Sequence, residues 1–204
     1  MALEAPRSRR ADVRDAALTL FAERGYHGTS MKDIAEALGI RAPSLYNHVG
    51  AKQDLLVEIM EATLAELQER HDAAVGTTPD VAEALRRAVE AHVRYHARFP
   101  REVHVGNRDL PALEPVNRER VIGMRRTYAR AWQRLLQRGV DEGRFELADA
   151  RLASYAILEM GIGVATWFRP DGALSEDVVA CHYGDMALRL AGTTAPLSRP
   201  PGGD

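Results

Sequence analysis

The chain is predicted to be all-α, with about nine helices forming an N-terminal three-helix domain and a larger C-terminal helical domain. Three observations carry this. Apolar residues recur at intervals of three and four along most of the sequence. No segment alternates apolar and polar residues over strand-favouring side chains. Glycines, prolines and N-cap residues cut the periodic stretches into pieces of helical length.

The first helix covers about Arg9 to Arg24, with Val13, Ala16, Ala17, Leu20 and Phe21 on one face. Gly25 takes the place of a left-handed C-terminal cap. Thr29 and Ser30 then offer N-cap hydroxyls, and Asp33 completes a shortened capping box with Ser30. The helix they start turns Met31, Ile34, Ala35 and Leu38 inward and stops at Gly39. A second short helix runs from about Arg41 to His48 around Leu45, with Pro43 in the first turn, where a missing N–H costs little.

A long helix follows Gly50, carrying Leu55, Leu56, Ile59, Met60, Leu64 and Leu67. Gly76-Thr77-Thr78-Pro79-Asp80 is the clearest break, and the helix it starts ends before Pro100. A short piece from Arg101 to Asn107 leads to a loop bounded by Pro111 and Pro115. Val121, Met124, Tyr128, Trp132 and Leu135 mark a long helix from Val116 to about Gly139, closed by Gly143. Residues 149–168 form the next helix, Arg169-Pro170-Asp171-Gly172 a turn, and 175–191 the last helix. The final stretch 192–204, with three Gly, three Pro and no apolar period, is predicted to be a disordered tail.

Composition is that of an ordinary soluble globular protein: 204 residues, 46% hydrophobic, 27% charged, net charge -2. Residues 1–53 carry eight basic and six acidic side chains, so the excess positive charge sits at the N-terminus, the sign that suits a phosphate-facing module. A single cysteine, Cys181, excludes an intrachain disulfide framework and a multi-cysteine zinc site. No apolar h-region follows the basic N-terminus and no stretch is long enough to span a bilayer, so the expected location is the cytoplasm, without a membrane partner. There is no phosphate-cradling glycine loop, nucleophile elbow or His-Glu metal motif, and the chain is read as a non-enzyme without cofactor or metal. His92 and His96 stand four apart on one helix, a spacing open to metal, but polar helix surface or pocket wall is the favoured reading.

The stretch Met31 to Val49 has the build of a helix-turn-helix. Ala35 is small where two helices cross, Gly39 supplies positive φ for the turn, and Ile34, Leu38, Ile40 and Leu45 form a small core. Arg41, Ser44, Tyr46, Asn47 and His48 are left polar and projecting. Phe21-Ala22-Glu23-Arg24-Gly25-Tyr26, Thr29 to Ala35, Leu45-Tyr46-Asn47-His48, Lys52 and Asp54-Leu55-Leu56 together make residues 9–56 resemble the DNA-binding domain of the tetracycline-repressor (TetR) family. The family usually has an aromatic where this chain has Val49.

The resemblance implies a recognition helix at 41–48 in the major groove, within a DNA-binding domain at 1–53 whose linking helix runs to about 73. By analogy Arg41, Ser44 and Asn47 address base edges. Thr29, Ser30, Tyr46, His48 and Lys52 address phosphates, and Lys32 and Pro43 belong to the same DNA-facing surface. Arg9 and Arg10 are further candidates for backbone or minor-groove contact. One such helix reads only a few base pairs, so the partner is palindromic double-stranded operator DNA and the working species a homodimer.

The same resemblance implies a ligand-binding and dimerisation domain at 76–192. Its candidate pocket residues are Tyr95, Phe99, His104, Met124, Arg125, Tyr128, Trp132, Met160 and Trp167. Its candidate dimer interface is Leu152, Tyr155, Gly163, Val178, His182 and Met186, on the last two helices. Asn107-Arg108, Arg125-Arg126 and Trp167-Phe168-Arg169 are similar to the sensor domains of members that answer acyl-coenzyme A thioesters; a drug-like hydrophobe is the rival effector. The function implied is a repressor released by a small hydrophobic ligand, with a ligand-independent regulator or an activator as the alternative.

Overall fold

A computed structural model describes residues 9–76 and 78–193. The tail expected at 192–204 lies almost wholly outside the described residues. Among those described there are nine α-helices and no strand: α1 (Arg9–Arg24), α2 (Met31–Ala37), α3 (Ala42–Tyr46), α4 (Lys52–Gly76), α5 (Val81–Arg98), α6 (Pro100–Arg108), α7 (Pro115–Asp141), α8 (Ala150–Trp167) and α9 (Glu176–Leu190), with a 3-10 turn at Leu110–Ala112.

Caps explain most of the boundaries. Ser30 accepts from the Asp33 N–H while the Asp33 carboxylate accepts from the Ser30 N–H at 2.7 Å, a reciprocal box with aspartate in the usual glutamate place. Asp80 accepts from Ala82 and Glu83 N–H, each at 2.9 Å, and Asp149 does the same for Arg151 and Leu152. Such a cap contributes about 1 kcal/mol. Gly39, at φ 65°, ends the α2 side of the turn in a conformation that a side chain would strain.

One boundary differs from expectation. The helix expected over 41–48 is regular only over Ala42–Tyr46, because the His48 N–H donates to the Leu45 carbonyl, tightening the end into a turn through Asn47 and His48.

The chain packs as two compact units. The first comprises residues up to Thr63 together with Arg101–Ile122. Val13, Ala17, Phe21, Ile34, Leu45, Leu55, Leu56, Val105 and Val121 are its fully enclosed side chains. Residues 101–122, expected in the C-terminal domain, belong to the first unit, and polar bonds explain why. Gln53 donates to the Ala112 carbonyl and accepts from the Glu114 N–H at 3.0 Å. Arg120 pairs with Glu61, and Arg101 donates to the Thr19 hydroxyl.

The second unit comprises Leu64–Pro100 and the chain from Gly123 onward. Within it α5 packs on α8 and α9. Leu85, Val93, Trp132, Leu136, Ile157 and Leu188 are enclosed there. Gly161 is what allows α8 to seat on His92: a Cβ at that position would stand 2.2 Å from the imidazole Cδ2. A buried ion pair, Arg86 with Asp185, ties α5 to α9.

Candidate nucleic-acid interface and effector site

The helix-turn-helix is assembled from its small core outward. Ile34 and Leu45 are completely buried and Ala35 nearly so, while Leu38 and Ile40 are half-buried at the rim. Val49, where the family usually has an aromatic, is buried too. With Leu45 turned inward, α3 and its flanks expose Arg41, Pro43, Ser44, Tyr46 and Asn47, and leave His48 half-exposed. Tyr46 is 54% exposed, unusual for an aromatic side chain with no partner to cover it.

Beside Tyr46 lies a shallow hollow of about 490 Å³, floored by the Gly28–Asp33 stretch at the start of α2 and by Lys52. Lys32 reaches out beside it, with Glu36 at 3.5 Å. Ser30 is exposed but occupied by its capping box.

Two residues read as phosphate contacts have other work here. Thr29 is 1% exposed, and its hydroxyl is directed to the Gly25 and Leu20 carbonyls at 2.9 and 3.2 Å. Lys52 donates to the Tyr26 and Thr29 carbonyls at 2.8 and 2.7 Å and lies 4.2 Å over the Tyr26 ring. Burial lowers its ammonium below the ordinary lysine value, with Asp33 opposing. Both side chains therefore brace the α1–α2 turn from behind. Arg10, a candidate for DNA backbone contact, is engaged by Glu58 at 2.9 Å. Sequence pattern alone does not separate a lysine that faces solvent from one that caps carbonyls.

Arg108 is likewise committed within the first unit. It donates to the Phe21 and Ala22 carbonyls at the end of α1, pairs with Asp109, and holds His104 Nε2 at 2.9 Å. His104, expected in the ligand pocket, is thus an exposed side chain of the first unit.

In the second unit a continuous run of rings crosses the interior. Phe99 and Tyr95 lie 4.8 Å apart, Tyr95 and His96 5.7 Å, and His96 and His92 4.2 Å. His92 then meets Trp132 at 5.4 Å and Tyr128 at 5.9 Å, and His71 closes on Trp132 at 5.1 Å. Tyr95, Tyr128 and Trp132, three of the expected pocket residues, are brought together here and buried. Met124, Arg125 and Met160 are half-buried, and Trp167 is 45% exposed beside Phe168. Burial depresses the Arg125 guanidinium, while Glu159 pulls the other way.

His92 and His96 are not helix surface; both are almost fully buried. Burial holds His92 well below the ordinary imidazole range, and lowers His96 to about 4. No cluster of three or more His, Cys, Asp or Glu side chains suited to a metal occurs among the described residues. No described helix is long and apolar enough to cross a membrane.

On the last two helices Leu152, Tyr155 and Met186 are exposed at 63%, 44% and 46%. His182 is exposed with them, and Gly163 and Val178 are half-buried.

Comparison with known proteins decides the family. Residues 13–59 match the model of bacterial regulatory proteins of the tetR family, and 78–191 match the tetracyclin repressor-like C-terminal domain. The chain belongs to the TetR family. It is 30% identical over 198 residues to the HTH-type transcriptional repressor KstR2 of Rhodococcus jostii, covering 92% of each chain. A tetR-family regulatory protein of known structure from Rhodococcus RHA1 superposes with a TM-score of 0.84 at 29% identity, over 93% of this chain and all of that one. The ketosteroid regulator KstR2 of Mycobacterium tuberculosis gives 0.83 at 26%, over 94% and 98%. This TetR-family chain is a DNA-binding transcriptional regulator.

Proposed function

We propose that the protein is a homodimeric repressor that holds a palindromic operator and is released by a small apolar effector bound in its C-terminal unit. The observation that carries the DNA side is the surface of α3. Arg41, Ser44 and Asn47 stand exposed around a buried Leu45, with Arg suited to guanine and Asn to adenine in the major groove. Ser30, Lys32, Pro43, Tyr46 and His48 form the backbone-facing surround, and Thr29 and Lys52 hold it in register.

Dimerisation is supported by the exposed apolar side chains of α8 and α9. Leu152, Tyr155 and Met186, with Gly163, Val178 and His182, supply a face that a second copy would cover. Release follows from linkage: an effector that favours a dimer with wrongly spaced recognition helices weakens operator binding by its preference for that state. Tyr95, Phe99, Met124, Tyr128, Trp132, Met160 and Trp167 are the apolar surround of the effector, and Arg125 the cation for an acidic group. Acyl-coenzyme A thioesters are the effector class this combination favours. The repressors among the relatives support the direction of control.

Sedimentation of Leu152→Glu/Met186→Glu tests the reading. A monomer with lost operator binding is expected; an intact dimer with full binding would refute the interface.

A further inference from the structure

Within the second unit, the outer face of α7 and the chain leading into α8 enclose a hollow of about 650 Å³. That is a size that holds a small molecule. None of the rings of the buried cluster lines it.

Its two walls are fixed by local structure. Arg130, Arg134 and Gln137 recur at i, i+4 and i+7, so they share one face of α7, with Gln133 beside them. The facing wall is the stretch from Leu147 to Arg151. It is pinned in place. The Arg144 and Phe145 N–H groups both donate to the Gly139 carbonyl, at 2.8 and 3.0 Å, and the Glu146 N–H donates to the Ala191 carbonyl at 2.9 Å. Gly139 lets Phe145 lie flat on α7, since a Cβ there would run into the ring.

The charge of the hollow is uncompensated. Arg130, Arg134 and Arg151 line it, and among the described residues no carboxylate forms an ion pair with any of them. Arg151 lies over the Tyr155 ring at 5.9 Å, a contact that leaves its charge unmatched. The one acid in the lining is Asp149, and it caps α8 by accepting from the Arg151 and Leu152 N–H groups. Asp72, whose charge acts on the same side of α4 as that of Arg134, is hydrogen-bonded to Gln68 and His71. Three guanidinium groups against one carboxylate leave the lining at +2. Cations gathered in a concavity repel one another and concentrate an anion there.

The arrangement also selects the anion. Guanidinium forks pair with carboxylate and phosphate oxygens. A carboxylate brings one charge and two oxygens in a single plane, too few for cations on two walls. A diphosphate brings more charge and directs oxygens to both walls at once. Val140, Leu147 and Ala148 add an apolar strip, which suits an organic group carrying the phosphates. We infer that this hollow is a second ligand site, which binds an organic diphosphate between Arg130 and Arg134 of α7 and Arg151 of α8. The site stands whether or not the ring cluster receives an effector.

The test is binding to the full chain in phosphate-free buffer of low ionic strength, without DNA. ADP, AMP and adenosine are titrated by calorimetry, and the ³¹P resonances of ADP are followed. ADP is expected to bind saturably, one per chain, AMP more weakly and adenosine not at all. Arg130→Gln/Arg134→Gln and Arg151→Gln change exposed side chains, so the fold should be kept. Each should weaken ADP binding about tenfold or more, the scale of a lost charge-assisted hydrogen bond. Arg134→Lys, which keeps the charge without the fork, should lose less than Arg134→Gln. Arg87→Gln/Arg98→Gln removes the same charge from surface arginines paired with Glu83 and Glu176, and should leave ADP affinity nearly unchanged.

No saturable binding of ADP, or an affinity that survives Arg130→Gln/Arg134→Gln, overturns the assignment. Displacement of ADP by equimolar sulfate overturns it too, marking the hollow as a place for an adventitious ion only. Acetyl-coenzyme A, which carries its own diphosphate, separates two sources of the ligand. If it displaces ADP, the hollow serves a coenzyme A head group; if it leaves ADP in place, the hollow serves a free nucleotide. Both results keep the site.

Discussion

The Arg108 guanidinium donates to the Phe21 carbonyl at the last turn of α1. A helix C-terminus leaves carbonyls without intrahelical partners and carries partial negative charge, so a cation seated there satisfies both. A second bond to Ala22 and the Asp109 carboxylate behind it hold the guanidinium in place. Gly25, at φ 80°, turns the chain away and keeps this end open to Arg108.

Arg108→Ala is expected to destabilise the chain by about 1–3 kcal/mol, the worth of hydrogen bonds from a charged donor. The loss should appear as a lower urea midpoint with unchanged slope. Arg108→Lys should recover only part of it, because an ammonium lacks the fork that serves two carbonyls and a carboxylate together.

Lys52 and Lys32 should respond differently to salt. Lys52→Met removes the brace under Tyr26 and Thr29, so operator affinity falls while the slope of log affinity against log salt stays put. Lys32→Ala removes an exposed cation, and the slope should become shallower by about 1 if it neutralises a phosphate. Fluorescence anisotropy at several salt concentrations separates the two.

Acid should weaken the second unit through its buried imidazoles. His96 has a folded value of about 4 against an ordinary value of 6.5, because burial disfavours its charged form. The unfolded chain therefore binds more protons between these values. The associated stability is complete above pH 6.5, falls as pH drops, and levels off below about pH 4. A shift of this size corresponds to about 3 kcal/mol, and His92 acts in the same direction. In His96→Leu the fall of Tm between pH 6.5 and 4 should be visibly flatter; an unchanged profile would show that His96 is not responsible.

Most of the fold was legible because each helix announces itself locally. The Ser30–Asp33 box, the Asp80 and Asp149 caps and the positive-φ glycines lie within a few residues of the ends that they set. The helix-turn-helix was legible for the same reason, being a short contiguous stretch with its own core. What escaped depends on long-range partners. Arg108 meets Phe21 across 87 positions of sequence, so the local Asn107-Arg108 pattern, similar to that of ligand-sensing domains, does not reveal its place at the end of α1. Thr29 and Lys52 looked like phosphate contacts until their inward bonds were seen. His71 is a lone histidine on a long helix, and only the Trp132 ring beside it, 61 positions away in sequence, gives it meaning.

The most direct test of the account is selection of binding sites from a pool of random duplexes, followed by titration of the selected site with the parent chain and Asn47→Ala. The account predicts a two-fold symmetric site, and a loss for Asn47→Ala of about 1–3 kcal/mol on that site with little change on unrelated duplex. Enrichment of no symmetric site, or an Asn47→Ala chain that binds the selected site as tightly as its parent, would contradict it.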